Sequence, residues 1–402
     1  MKQQENTNNL ETLPKGLHIL AKPIGPKCNL DCQYCFYLEK EAMFQGSENF
    51  KMPDKVLEAY TKKYIRTNPS PEVEFVWQGG EPTLMGLDFF KKVIKFQMPY
   101  IGEKKILNSL QTNGTLLNDD WCKFLAQHGF LVGLSLDGPE NIHNKYRKNK
   151  KGEGSFADTL RALKLLQKHN VEHIIMACVA KEHTKHPLEI YNFFKEQGVK
   201  TIQFSPVVER EADENNKKFG LSLASPSSKN VKITDWSVNP KEYGNFLIKI
   251  VDEWIQKDFG NIFIMNFEWA LHNYIGNPSP VCTFAKSCGR ALAMEYNGDI
   301  FSCDHSVFPD YKLGNILKDN PHNLADKNQE NGFGINKTKN ISTYCQKCDI
   351  LELCNGGCPN HRFEKDNLNY LCQGYKKFFK HIEPHLLKIS KELQVGRING
   401  NK

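Results

Sequence analysis

Cys28, Cys32 and Cys35 stand together in the run C-N-L-D-C-Q-Y-C. This C-x3-C-x2-C spacing gathers three thiolates on one short loop, a set that holds three irons of a four-iron cubane. No fourth cysteine is near in sequence, so the remaining iron is left open to an outside ligand. Structural zinc is the competing chemistry, but it takes four protein ligands. Eight more cysteines follow Pro280: Cys282, Cys288, Cys303, Cys345, Cys348, Cys354, Cys358 and Cys372. Eight is twice four, enough for two fully ligated clusters, although four thiolates suit zinc as well as iron–sulfur. Cys122, on a helical stretch, and Cys178, in the apolar run I-I-M-A-C-V-A, read as small buried hydrophobes with no function.

Thirteen cysteines in 402 residues is an odd count and a poor disulfide framework. Met1–Lys15 is polar, no apolar signal region follows it, and no long apolar run occurs. Neither a secretory signal nor a membrane span is therefore expected. The expected setting is the cytosol, where thiols stay reduced and clustered cysteines serve metal or iron–sulfur ligation. Lys plus Arg number 53 against 46 Asp plus Glu, and the resulting +7 is too dilute over this length to indicate nucleic acid. With 40% hydrophobic residues a packed core is feasible and widespread disorder is excluded. At ~150 residues per domain, the length suggests two or three domains.

The elements that must carry these cysteines follow from periodicity. Short β-rich runs occur at Leu17–Lys22, Glu72–Trp77, Lys105–Leu110, Leu131–Leu136, Val171–Ala180 and Thr201–Phe204. Amphipathic helical stretches lie between them at Asp54–Arg66, Leu87–Met98, Asp119–His128, Ser155–His169 and Pro187–Gln197. Strands separated by helices imply right-handed βαβ units and a parallel sheet, either open or part of a barrel. The expected organisation is a polar lead at 1–16 and an α/β domain at 17–235. Within that domain 209–235 is a polar surface insertion. A helical linker at 236–280, a loop-rich cysteine-dense domain at 281–375 and a C-terminal helix with a basic tail at 376–402 follow. Within the cysteine-dense part, Asn297-Gly298 marks a hairpin between Met294–Tyr296 and Asp299–Ser302 that returns Cys303 towards Cys282 and Cys288.

Chemistry in such folds collects at the C-terminal ends of strands, and polar motifs stand there. Gln78-Gly79-Gly80-Glu81-Pro82 follows the second strand, Gln111-Thr112-Asn113-Gly114 the third, and Ser135-Leu136-Asp137-Gly138-Pro139 the fourth. Taken with the first cysteine loop, this pattern resembles the radical S-adenosylmethionine (SAM) superfamily, with a partial (β/α)6 barrel. The resemblance implies that SAM chelates the open iron and is cleaved to a 5′-deoxyadenosyl radical. It implies that Tyr34 packs by the adenine and that Gly79, Gly80 and Glu81 receive the SAM amino group. Thr112, Asn113, Ser135 and Asp137 offer polar groups to the rest of SAM, Arg147 pairs with its carboxylate, and Val208 meets the adenine by its backbone. The C-x2-C-x5-C-x3-C run from Cys345, with Cys372 beyond, resembles a SPASM domain. That resemblance gives one auxiliary cluster to Cys282, Cys288, Cys303 and Cys358, and another to Cys345, Cys348, Cys354 and Cys372. Three [4Fe-4S] clusters and SAM are then the implied cofactors.

The wording C-Q-Y-C-F-Y, W-Q-G-G-E-P-T-L, L-Q-T-N-G-T-L-L, Y-N-G-D-I-F-S-C-D-H and L-N-Y-L-C-Q-G-Y resembles anaerobic sulfatase-maturating enzymes over nearly the whole length. That resemblance implies oxidation of a Cys or Ser in an unfolded or nascent sulfatase polypeptide to Cα-formylglycine, with a low-potential electron donor as second partner. Asp304, directly after Cys303, matches the family's proposed base, and a carboxylate serves as base if burial and clustered negative charge raise its pKa. Its other role is to cap a turn, and His305 is a competing base. Tyr37 and Gln78 resemble residues that face the peptide. Peptide cross-linking by another SPASM enzyme and a zinc-organised binding module without catalysis are the alternatives. Only about sixteen residues precede the first strand, too few for a separate peptide-recognition domain.

Overall fold

The computed structural model describes residues 16–44, 49–330 and 332–400. Most of the polar lead and the last two residues of the basic tail therefore lie outside the described residues. Six parallel strands run in chain order: β1 His18–Lys22, β2 Glu72–Trp77, β3 Lys105–Thr112, β4 Leu131–Leu134, β5 His173–Val179 and β6 Thr201–Pro206. Each was legible as an apolar or alternating run, and the alternation is physical. In β2, Val73, Phe75 and Trp77 point into the core while the residues between them do not.

The helices between the strands bury one face each. In the helix Asp54–Thr67, Val56, Leu57, Tyr60 and Tyr64 are buried, and Tyr60 meets Phe75 edge-on with ring centroids 5.0 Å apart. Asn118 caps the helix Asp119–Gln127 by accepting from the Trp121 N–H at 3.0 Å. The sheet does not stop at β6. Beyond it lies β7 Phe263–Ile264, parallel to β6. On the other side β8 Ala291–Glu295 joins β1 in parallel, and β9 Asp299–Phe301 and β10 Lys312–Asn315 continue antiparallel. The order is β10-β9-β8-β1-β2-β3-β4-β5-β6-β7, so the barrel is partial, with β10 and β7 at its edges.

The predicted hairpin is present: Gly298 turns at φ 87°, and Met294 pairs with Ile300. Its strand β8 is also a member of the main sheet, which sequence periodicity did not indicate. The helix Glu140–Tyr146 was likewise not anticipated, whereas Met265–Tyr274 falls within the expected helical linker at 236–280.

The insertion at 209–235 is more than a surface excursion. It folds back on itself through bridges from Arg210 to Ile233 and from Glu211 to Leu223. Arg210, Ala212, Asn216, Leu221, Leu223, Ser225 and Ser228 are buried. Arg210 donates to the Ser228 and Ser225 carbonyls at 2.6 and 2.9 Å and stands 4.6 Å over the Phe363 ring. The polar composition serves this internal hydrogen bonding as well as exposure to water. The helix Cys372–Gly400 lies along the helix Pro240–Lys257, where Gly374 and Gly244 allow backbone contact. Tyr375, Phe378, Phe379, Ile382 and Leu386 of the former join the main core.

Candidate active site

The cysteine loop leaves the C-terminal end of β1 and is held by backbone. The Gly80 N–H donates to the Gly25 carbonyl at 2.8 Å, and the Glu81 N–H to the Lys27 carbonyl at 2.8 Å. A Cβ on Gly80 would sit 1.9 Å from the Lys27 carbonyl oxygen, so only glycine permits this approach. The Gly-Gly pair thus packs its backbone against the loop that carries the cysteines. Cys28, Cys32 and Cys35 face one another closely enough for mutual repulsion of their thiolates. Burial pushes the Cys28 thiol up to about 12, a cost that ligation to a cation reverses.

Glu81 is fully buried, and its carboxylate is already engaged. It accepts from the Thr83 N–H and hydroxyl at 3.0 and 2.6 Å, the Thr112 hydroxyl at 2.7 Å and the Asn113 N–H at 2.8 Å. Glu81 therefore ties the second-strand motif to the third-strand motif. Asn113 in turn donates to the Asn29 side chain at 2.9 Å and lies 3.8 Å from the Cys28 sulfur. Ser135 accepts from the Gln111 amide at 2.9 Å. Thr112, Asn113 and Ser135 are thus brought together at one end of the sheet.

Asp137 and Arg147 also meet. Arg147 donates from Nε and Nη2 to the two Asp137 oxygens at 2.8 and 3.0 Å. Tyr34 donates its hydroxyl to Asp137, and its ring lies 5.4 Å below the guanidinium. Cys178, read from sequence as a bystander, is part of this group. Its N–H donates to Asp137 Oδ1 at 2.9 Å, and its sulfur accepts from Arg147 at 3.6 Å. Cys122 is fully buried, as expected. Val207 packs with Tyr34, whereas Val208 lines a small cavity with Phe36, Lys40, Glu209 and His305.

A second polar group lies where β1 meets β8. Lys22 and Glu295 end those strands and are register partners. Lys22 Nζ is 2.5 Å from Asp304 Oδ1 and 3.8 Å above the Tyr37 ring, and its side chain is 1% exposed. Tyr37 donates its hydroxyl to Glu295 Oε1, while Glu295 Oε2 is buried without a hydrogen-bond partner. Burial raises the Glu295 carboxyl to about 7. Burial also pushes Asp304 up, but Lys22 together with His305 leaves the carboxyl below its ordinary value. The expected upward shift of Asp304 is thus reversed chiefly by a lysine that sequence reasoning missed. A lysine closing the apolar strand H-I-L-A-K was the available signal. His305 stacks on Phe36 with ring centroids 4.5 Å apart. Gln78 is half-buried, with its N–H on the Ala21 carbonyl at 2.9 Å.

The remaining thiols fall into two mutually repelling sets. Cys303 is coupled to Cys358 and Cys282, and Cys358 to Cys282 and Cys288. Cys354 is coupled to Cys372, Cys345 and Cys348. No three His, Cys, Asp or Glu side chains among the described residues are drawn in tightly enough to hold a single metal ion. Each set offers four thiolates, the number that one [4Fe-4S] cluster takes.

A partial parallel barrel with a three-cysteine loop at the end of its first strand defines a radical SAM enzyme, and residues 23–194 match the Radical SAM superfamily. The chain is 43% identical to a serine-type anaerobic sulfatase-maturating enzyme of Bacteroides thetaiotaomicron over 94% of this chain and 92% of that one. It is 34% identical to a cysteine-type enzyme of Clostridium perfringens, over 94% of this chain and 99% of that one. The solved structure of anSMEcpe with bound AdoMet and Cp18Cys peptide superposes with a TM-score of 0.82 at 33% identity. That match covers 94% of this chain and 99% of that one. The chain belongs to the family of anaerobic sulfatase-maturating enzymes. Among the described residues, no helix is long and apolar enough to cross a membrane.

Proposed function

We propose that this chain oxidises a Cys or Ser side chain of an unfolded or nascent sulfatase polypeptide to Cα-formylglycine, in the cytosol and with a low-potential electron donor. The observation that carries this reading is Asp304, held beside Tyr37 at the end of the strand that leads into the Cys28–Cys35 loop. Asp304, read as the base, and Tyr37, read as facing the peptide, would then act next to the cluster loop.

Cys28, Cys32 and Cys35 would hold the cluster that binds SAM. Cys282, Cys288, Cys303 and Cys358 would hold one auxiliary cluster, and Cys345, Cys348, Cys354 and Cys372 the other. The thiolate couplings within each set support this division. Cluster and SAM supply, when bound, a carbon-centred radical able to take a hydrogen atom from the target Cβ. Tyr34, Gly79, Gly80, Glu81, Thr112, Asn113, Ser135, Asp137, Arg147 and Val208 would shape the SAM side of the site. Of these, Glu81 acts through the motifs it ties together. Tyr37 and Gln78 would orient the peptide. Asp304 would take the proton of the target hydroxyl or thiol, and loss of one further electron completes the two-electron oxidation. A Ser target ends as the aldehyde, whereas a Cys target passes through a thioaldehyde that water hydrolyses with release of sulfide.

The test is anaerobic incubation with SAM, a reductant and two sulfatase-derived peptides, one Ser-type and one Cys-type. Loss of two hydrogens from the Ser peptide, with trapping of an aldehyde, is expected. Accumulation of 5′-deoxyadenosine while both peptides stay unchanged would show that the radical chemistry serves another substrate.

A further inference from the structure

We propose that Lys22 is the positioning residue of the base. Clasped by Asp304, Glu295 and the Tyr37 ring, it holds the Asp304 carboxylate at a set distance from the cluster loop. This inference rests on the sulfatase-maturating reading above.

Three observations carry it. Asp304 opens a short turn after β9, Asp304–Ser306, and among the described residues its buried Oδ1 is met by the Lys22 ammonium. The ion pair with Lys22, at 2.5 Å, is the contact that locates it. Lys22 is a rigid anchor. It is the last residue of β1, in parallel register with Glu295 of β8, and its side chain is buried. Such an ammonium persists in the interior only while its acidic neighbours balance it. Finally, Lys22 stands on the strand that leads directly to Cys28, whereas Asp304 follows Cys303 in the cysteine-dense region. The pair therefore joins the two halves of the site.

The chemistry makes that join matter. The target side chain must present its Cβ hydrogen towards the SAM side and its hydroxyl or thiol proton towards Asp304 at once. A base free to swing on its turn meets both demands in only a fraction of encounters, and small misplacements of a catalytic group are costly. Glu295 completes the clasp. One of its oxygens accepts from the Tyr37 hydroxyl and the other is buried without a hydrogen-bond partner, so Lys22 has a second acidic neighbour besides Asp304.

The experiment compares Lys22→Met, Lys22→Arg, Asp304→Asn and the double variant Lys22→Met/Asp304→Asn, reconstituted with iron and sulfide. It measures iron content, 5′-deoxyadenosine formation, and kcat and KM for the peptide that the wild type oxidises. Lys22→Met should keep its iron and its SAM cleavage, lose peptide kcat by roughly tenfold or more and leave KM near that of the wild type. Lys22→Arg should recover part of that kcat. The double variant should be no slower than Asp304→Asn alone, because the two residues act as one unit. Peptide kcat within about twofold of wild type in Lys22→Met overturns the assignment. So does an additive double variant, and so does a parallel fall of iron content, SAM cleavage and peptide turnover, which marks a purely structural lysine. Failure of the wild type to oxidise either peptide tests the reading beneath and leaves a different signature, since no variant comparison is then needed to see it.

Discussion

Arg147 and Asp137 meet in a buried bidentate pair, Nε to Oδ2 at 2.8 Å and Nη2 to Oδ1 at 3.0 Å, with the Tyr34 hydroxyl and the Cys178 N–H on the same carboxylate. Burial pushes the Asp137 carboxyl up, but the guanidinium, with His183 and His143, brings it down to about 2. A pair this enclosed organises the strand ends around it. Asp137→Ala leaves a buried guanidinium unpaired and should cost roughly 3–5 kcal/mol of stability. Urea unfolding checks this, and a loss under about 1 kcal/mol would show that water replaces the carboxylate.

Gly80 predicts a local failure of cluster loading. A methyl group there collides with the Lys27 carbonyl, which is backbone and cannot swing aside. Gly80→Ala should displace the Cys28–Cys35 loop and lower iron by about a third, since one cluster of three is affected. Iron quantitation with Gly86→Ala as control separates collision from backbone strain, because Gly86 has a positive φ and open space around it, whereas Gly80 has the collision without a positive φ.

Glu209 predicts a pH dependence of stability. Burial raises its carboxyl to about 8, with Lys40 the main opposing influence. A carboxyl raised in the folded state contributes fully below its unfolded value, ~4.3, and loses that contribution as pH rises towards its folded value. Between about pH 5 and pH 7 the wild type should therefore lose stability on the order of 1–2 kcal/mol that Glu209→Gln does not lose. Thermal midpoints at both ends of the interval give the two slopes, and equal slopes would reject the effect.

Asp304→Asn removes the proposed proton acceptor while nearly preserving shape. Peptide oxidation should fall by roughly 10²- to 10⁴-fold while 5′-deoxyadenosine formation falls far less. Product analysis by mass spectrometry reads both, and unchanged oxidation removes Asp304 as the base.

Eleven cysteines in three sets predict iron and sulfide near about twelve each per chain and a brown protein. A colourless protein with zinc and no iron would return the cysteine-dense region to a zinc-organised module.

Local chemistry was the legible part. The C-x3-C-x2-C loop, the strand-end motifs and the Asn297-Gly298 turn all lie within a few residues, and short-range spacing reports such geometry directly. Strand limits agreed closely for β2 because Val73, Phe75 and Trp77 alternate with polar neighbours. The insertion was read as exposed because its serines and asparagines look hydrated, whereas Ser225, Ser228 and Asn216 are buried and bonded to one another or to Arg210. Polarity alone does not distinguish a group bonded to water from one bonded to protein.

The amino-acid sequence by itself determined the α/β alternation, the cysteine-bearing loop at the first strand end and the family likeness. Each depends on residues near one another in the chain. The tertiary structure decided that β8 lies against β1. It also decided that Lys22 reaches Asp304, that Arg147 is taken up by Asp137, and that Cys358 stands with Cys303 rather than with Cys354. These partners are far apart in sequence or compete with equally plausible neighbours. Their choice follows from how the sheet closes its buried polar groups, a balance of burial and pairing that periodicity does not record.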